Sequence, residues 1–242
     1  MSHSEAAELR AGREQLARHG IRLLEDGLAI GTAGNLSLRV GGTLLITPSG
    51  VAYRDLTPDD ICAVSLPAAA PNASATGETG LSQSDGTSGD STATGATGNA
   101  SSELPLHLAV YAATGAGAVV HTHSPEVVAL SAVHDELPAI HYAITGLGGP
   151  VRVAGYERFG SGRLAEAAVT ALDGRNAVIL RNHGAVSYGT SLPQAYGRAL
   201  LLEWLAHVYR MARTLGEPRL LSPADLDEVT AEMRRRRYGE PR

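Results

Sequence analysis

Between Ala68 and Ala100 the chain runs for 33 residues of which 25 are Ala, Gly, Ser or Thr, and Leu81 is the one large apolar side chain. Such a stretch buries too little to offset the entropy of ordering its backbone. The core of this 242-residue protein must therefore come from the other 209 positions. The composition predicts a disordered, low-complexity surface insertion at 68–100. Lengthening a surface loop adds little closure entropy, so one domain over 1–242 can carry it.

The remaining chain is ordinary enough to build a core, with 43% hydrophobic residues overall. A formal net charge of −5 argues against a nucleic-acid partner. No apolar run approaches the ~20 residues that span a bilayer, which argues against a membrane partner. Cys62 is the sole cysteine, so no internal disulfide can form, and a reducing compartment fits. Met1 to Glu5 has neither a basic flank nor an apolar stretch, so the expected location is cytoplasmic.

Helical and extended patterns alternate outside the insertion. Ser4 can cap a first helix carrying Leu9, Leu16 and Leu23, which Gly27 stops. Residues 36–40 and 43–47 read as strands joined by Gly41-Gly42, and 61–65 as a third. A helix at about 103–114 precedes a strand at 118–123, and Ser124-Pro125 opens another helix. Extended pieces at 151–153, 177–181 and 185–188 and helices at 163–172, 191–215 and 223–237 complete the chain. Without a strict βαβ rhythm, this mixture predicts an α/β three-layer sandwich, a sheet between helices.

Three of nine histidines stand where strands end: His121, His123 and His183. Alternation puts His121 and His123 on one strand face with alpha carbons about 6.5 Å apart. Two imidazoles so spaced can converge on one metal ion, and His183, before Gly184, supplies a third nitrogen. The pattern equally suits histidines packed in a core. Glu103 opens a helix of about 18 Å, and the following strand returns its far end, with the histidines, to that level. A carboxylate there can approach their metal, or simply complement the helix dipole. Small residues and hydroxyls recur at Gly34-Asn35, Ser49-Gly50 and Ser101-Ser102, where backbone amides suit an anion such as phosphate. Each is also ordinary turn chemistry.

Seven blocks in order resemble the class II aldolase/adducin family: Gly31-Thr-Ala-Gly-Asn35, Ile46-Thr-Pro-Ser-Gly50, Ser101-Ser-Glu103, Val119-Val-His-Thr-His123, Pro138-Ala-Ile-His-Tyr142, Phe159-Gly160 and Asn182-His-Gly184. The resemblance covers nearly all of the chain outside 68–100. It implies a three-layer α/β/α sandwich with a largely antiparallel central sheet. It implies Zn²⁺, one per subunit, on His121, His123 and His183, with Glu103 as a further ligand and the catalytic acid–base; Mn²⁺ or Co²⁺ also suit such ligands. Gly34, Asn35, Ser49, Gly50, Ser101 and Ser102 fall at the family's phosphate-binding positions. Tyr142 matches a tyrosine that enters a neighbouring subunit's site, which implies a homotetramer with sites at subunit interfaces. Tyr238 falls in a tail that closes over substrate in relatives.

The implied activity is a metal-dependent aldolase cleaving a deoxy-ketose 1-phosphate, with L-fuculose 1-phosphate giving dihydroxyacetone phosphate and L-lactaldehyde. Alternatives are 5-deoxyribulose or 5-methylthioribulose 1-phosphate as substrate, or ribulose-5-phosphate 4-epimerase chemistry, whose branch carries aspartate at position 103. A non-enzymatic adducin-like interaction module would lack the ligands. Elsewhere, His107 reads as packing or solvated, and Trp204 with Leu201, Leu205 and Val208 as the buried stripe of a long helix. Cys62 reads as an inert core thiol, and Arg234 to Arg237 as a solvated helix end.

Overall fold

The structure, a computed structural model, describes residues 2–66 and 99–236. Apart from Asn99 and Ala100, the 68–100 insertion lies outside the described residues, as does Tyr238. Eight strands form one sheet: β1 (Asn35–Val40), β2 (Thr43–Ile46), β3 (Cys62–Ser65), β4 (Ala118–Thr122), β5 (Glu136–Leu137), β6 (Val151–Ala154), β7 (Ala177–Leu180) and β8 (Gly184–Gly189). Their order is β3-β2-β1-β4-β8-β7-β6-β5. Every pairing is antiparallel except β6 with β7. The sheet is thus mixed and largely antiparallel, as expected.

Helices cover both faces. On one face α1 (His3–Glu25) and α5 (Leu192–Leu215) bury Leu16, Leu23 and Tyr196 against Leu36, Leu45 and Val120. On the other, α2 (Leu104–Ala113) and α4 (Gly162–Leu172) bury Leu106, Val110 and Leu164 against Leu44, Val119 and Val178. Adjacent residues Leu44 and Leu45, or Val119 and Val120, go to opposite cores, as the two-residue period of a strand requires. α3 (Pro125–Ser131) and the C-terminal half of α5 pack over the β5–β7 end, and α6 (Pro223–Arg235) places Leu226 against that cluster.

Serine caps fix several helix starts. The hydroxyls of Ser2, Ser161, Ser191 and Ser222 each accept from a backbone N–H in the first turn, a contact typically worth about 1 kcal/mol. The first helix is capped by Ser2, not Ser4. Ser2 and Glu5 form a reciprocal capping box, whereas the Ser4 hydroxyl bonds Glu8 within the helix.

Trp204 corrects the expectation for α5. The buried stripe of that helix is Leu202, Leu205, Ala206 and Tyr209, and Trp204 is 46% exposed. Leu201, Trp204, Val208, Met211 and Leu215 instead follow heptad spacing along the helix flank, with Met211 and Leu215 also exposed. The spacing is real, but only its Leu201 end packs against this chain's own core, and Trp204, Met211 and Leu215 stay exposed.

Candidate active site

The histidines meet because three pieces of local geometry coincide. On β4, Val119 points into the α2–α4 core, and two-residue alternation sends His121 and His123 to that side. The β7–β8 turn carries His183 to the same end. Asn182 within it adopts φ +53°, the only positive φ outside glycine among the described residues. A β-carbon on Gly184 would sit 1.9 Å from the Thr122 carbonyl oxygen, so only glycine lets this turn close on β4. The three imidazole rings stand 4.8–4.9 Å apart, centroid to centroid, each nearly perpendicular to the others.

Glu103 immediately precedes α2 and is buried, with 5% exposure. The helix-and-return-strand geometry expected from its length is present: Glu103 Oε2 lies 2.8 Å from His121 Nε2, and Oε1 lies 3.2 Å from His183 Nε2. One ligand atom from each of Glu103, His121, His123 and His183 falls within 4.8 Å of the rest.

The hydrogen bonding tests whether this group suits a cation. His121 Nδ1–H donates to the Ala185 carbonyl at 2.9 Å. A neutral His121 then turns the lone pair of Nε2 inward, toward His123 Nε2 at 2.9 Å and Glu103 Oε2 at 2.8 Å. Acceptor atoms so close repel unless positive charge, a proton or a metal ion, lies among them. Glu103 Oε1 is buried and, although 3.2 Å from His183 Nε2, makes no aligned hydrogen bond, a costly state that coordination removes. Burial and the facing His121 and His183 push His123 down to about 3, leaving the neutral imidazole that metals require. Burial works against ionising Glu103, but where a proton rather than a metal supplies the positive charge, His121 and His183 attract and hydrogen-bond the carboxylate, outweigh burial and hold the carboxyl far below its usual range. Three imidazoles and a carboxylate fit a divalent metal site.

A cavity of about 390 Å³ opens over this group, lined by Glu103, His123 and His183 and by all six predicted phosphate positions. Gly34, at φ +75°, brings its loop within 2.8 Å (as measured to a hypothetical β-carbon) of the His121 carbonyl oxygen. The buried Tyr53 hydroxyl fixes that loop by donating to the Gly34 carbonyl at 2.7 Å. Not every amide expected to meet an anion is open to one. The N–H groups of Ser49, Ser101 and Glu103 donate to Asn99 O, Thr47 O and Ser101 Oγ respectively. The Ser49 and Ser102 hydroxyls remain, on residues that face the cavity.

Asn35 is turned further inward than a surface anion ligand. Its Nδ2 donates to Glu103 Oε2 at 3.0 Å and its Oδ1 accepts from His107 Nε2 at 2.5 Å. His107 is fully buried and outside the metal-capable cluster, as a packing role requires, and both its ring nitrogens are hydrogen-bonded, to Asn35 and Ser37. The spacing Glu103, His107, Tyr111, four residues apart from the N-cap of α2 along the helix, is the sequence signal that reveals it.

Tyr142 is not brought to this chain's own cavity. It lies in a 3-10 turn (Tyr142–Leu147), 48% exposed, stacked on His141 at 4.3 Å, and His141 meets Trp204 edge-on at 5.1 Å. Tyr156 and Phe159, both exposed, line the cavity mouth and were not singled out as site residues by sequence reasoning, although Phe159 stood in a matched block.

Comparison with known proteins bears on what this arrangement does. The profile of the class II aldolase and adducin N-terminal domain family matches residues 14–210. A 5-deoxy-D-ribulose 1-phosphate aldolase of Bacillus thuringiensis is 32% identical over 224 residues, covering 91% of this chain and 94% of the relative. An L-fuculose phosphate aldolase of Escherichia coli is 32% identical over 212 residues, covering 85% and 87%. A solved L-fuculose 1-phosphate aldolase superposes with a TM-score of 0.78 at 28% identity, over 93% of this chain and 96% of that one. Among the described residues no helix is long and apolar enough to cross a membrane. With its histidine–glutamate cluster and its cavity set as described, the chain belongs to the class II aldolase family and is a lyase of the metal-dependent kind.

Proposed function

We propose that the protein cleaves a deoxy-ketose 1-phosphate reversibly to dihydroxyacetone phosphate and a short aldehyde, with L-fuculose 1-phosphate as substrate and L-lactaldehyde as product. The observation that carries this reading is the cluster of Glu103, His121, His123 and His183, three of which (Glu103, His123 and His183) line one cavity with Ser49, Ser101 and Ser102. His121, His123 and His183 hold Zn²⁺, and Glu103 completes the set when substrate is absent. When bound, the cation supplies Lewis acidity, a sink for the negative charge left beside the ketose carbonyl as the carbon–carbon bond breaks.

The chain's own groups do the rest. Gly34, Gly50 and the hydroxyls of Ser49, Ser101 and Ser102 hold the phosphate, the non-reacting end, so that anchoring becomes orientation. Glu103 moves the proton at the triose phosphate carbon: Oε2 is held by Asn35, while Oε1 has no hydrogen-bond partner and is the oxygen left for the proton. Tyr142, in the site of an adjacent copy, takes the proton from the hydroxyl that becomes the aldehyde oxygen during cleavage and protonates that oxygen in the reverse condensation. Its exposure, its absence from its own cavity and the apolar seam running from it through Trp204 to Leu215 support a homotetramer with shared sites. The single, buried Cys62 accords with a cytoplasmic setting.

A second reading, 5-deoxyribulose 1-phosphate as substrate, is favoured by the larger share of this chain aligned with the Bacillus relative. Incubating the zinc-loaded protein with each ketose 1-phosphate and with ribulose 5-phosphate, and assaying triose phosphate, separates the readings. The highest kcat/KM on L-fuculose 1-phosphate is expected. Epimer without triose release would replace the aldolase with an epimerase.

A further inference from the structure

A buried polar chain runs away from the site along the α2–sheet interface. Glu103 Oε2 accepts from Asn35 Nδ2, Asn35 Oδ1 meets His107 Nε2, His107 Nδ1 meets Ser37 Oγ at 2.6 Å, and Ser37 Oγ meets the Tyr111 hydroxyl at 3.1 Å. All five residues are buried. The chain exists because two periods agree: four residues of helix rise about 6 Å and two residues of strand about 6.6 Å. Glu103, His107 and Tyr111 on the helix side therefore keep step with Asn35 and Ser37 on β1.

The proton order along this chain is fixed from one end. The Glu103 carboxylate only accepts, so the NH₂ of Asn35 must face it and the carbonyl of Asn35 must face His107. His107 must then carry its proton on Nε2. A neutral ring leaves Nδ1 to accept from Ser37, whose oxygen accepts in turn from Tyr111. With the other tautomer the amide would turn over, setting the Asn35 carbonyl oxygen against the carboxylate in a dry interior.

We propose that His107 is a positioning residue for the metal and proton-transfer site. By presenting Nε2–H to Asn35 it locks the amide so that one oxygen of Glu103 is held and the other stays available. This inference rests on the aldolase reading for its role in turnover, but its effects on tautomer and metal affinity do not. His107 touches neither substrate nor metal; it acts through Asn35.

The test begins with metal-free wild-type protein labelled with ¹⁵N-histidine. At pH 7 the His107 ring is expected as the neutral Nε2–H tautomer by nitrogen–proton correlation NMR; an Nδ1–H tautomer or an imidazolium overturns the proposal. Zinc affinity and kcat are then compared in His107→Leu, which lacks a donor, and His107→Gln, whose amide restores one near Nε2. The leucine variant should lose about tenfold or more in both, the usual scale for groups that orient a metal ligand, and the glutamine variant should stay within about threefold of wild type. Wild-type zinc affinity in a folded leucine variant, or equal impairment of the two variants, overturns it in favour of simple packing. Should the leucine variant not fold, the tautomer alone decides. Absence of aldolase turnover in the wild type would defeat the substrate reading and leave the tautomer and zinc titration to judge this one.

Discussion

Asn35 and His121 face each other across the β1–β4 ladder, and their side chains reach the same oxygen of Glu103, at 3.0 and 2.8 Å. The carboxylate is thus oriented by the sheet rather than by its own helix, where it makes no capping hydrogen bond. A charge-assisted hydrogen bond in such a setting is worth about 1.5–3 kcal/mol. Asn35→Ala should therefore lower stability by about that amount, read from urea denaturation. It should also lower kcat by about tenfold or more, because Glu103 gains a second orientation. An alanine variant with unchanged kcat would show that the carboxylate is held by other means.

Gly184→Ala probes the other approach to the cluster. The added methyl group would fall 1.9 Å from the Thr122 carbonyl oxygen, so β8 must move away from β4 or the turn bearing His183 must shift. A loss of about 1–3 kcal/mol is expected in chemical denaturation. Zinc affinity should fall with it, measured by competition with a chromophoric chelator. Normal zinc binding in a destabilised variant would mean that the turn moves as a unit with His183 in place.

Much of this site is visible in the sequence because simple periods govern it. His121 and His123 share a face by strand alternation, and Glu103 reaches them because a ten-residue helix and its return strand have matching lengths. That His107 packs inside was legible, but its polar partners were not, because α2 is apolar nearly all round, Leu104 to Ala113, and no polar face marks which side meets β1. Trp204 was misplaced because helical spacing groups it with the buried Leu205 and the partly buried Leu201 and Val208 without showing that it lies at the exposed edge of their stripe. The two-residue β5 and the 3-10 turn bearing Tyr142 are too short to carry any period. That a serine starts the first helix was legible, but Ser2 and Ser4 are near equivalents until the reciprocal bond with Glu5 distinguishes them.

Removing the metal should change stability as well as activity. A cation bound to the native cluster but not to the unfolded chain stabilises the fold by about 2.7 kcal/mol at a hundredfold excess over Kd. Dialysis against a chelator should abolish turnover and lower Tm, and adding zinc should restore both, with Tm rising steadily with free zinc. A Tm indifferent to every divalent ion would remove the metal from the account.

Acid should destabilise the metal-free protein from near neutrality downward. Burial, with His121 nearby, depresses His107 from 6.5 to about 3. Below pH 6.5 the unfolded chain therefore binds a proton that the native state refuses. Stability contributed by the neutral ring is complete above that pH and is lost as pH falls toward 3, at up to about 1.4 kcal/mol per pH unit. The depressed carboxyl of Glu103 acts in the same direction, beginning at its unfolded value of 4.5. Urea midpoints between pH 8 and 5 should fall in the wild type and fall less steeply in His107→Leu, where the equally depressed His123 still contributes. Parallel curves for the two proteins would exclude His107 as the source.

The position of Tyr142 makes a sharper demand on the assembly. On its own chain the phenol lies outside the cavity that holds His123 and Glu103. If it serves an adjacent copy, a chain lacking the tyrosine still offers a metal site, and a chain lacking a histidine still offers a tyrosine. Tyr142→Phe and His121→Ala should each be nearly inactive alone. Unfolded together, refolded at equal amounts and reassembled, they should recover activity at about a quarter of the sites, the share in which an intact cluster meets an intact tyrosine across a symmetric interface. Mixed assemblies no more active than either parent would place both residues in one chain's site and end the shared-site reading.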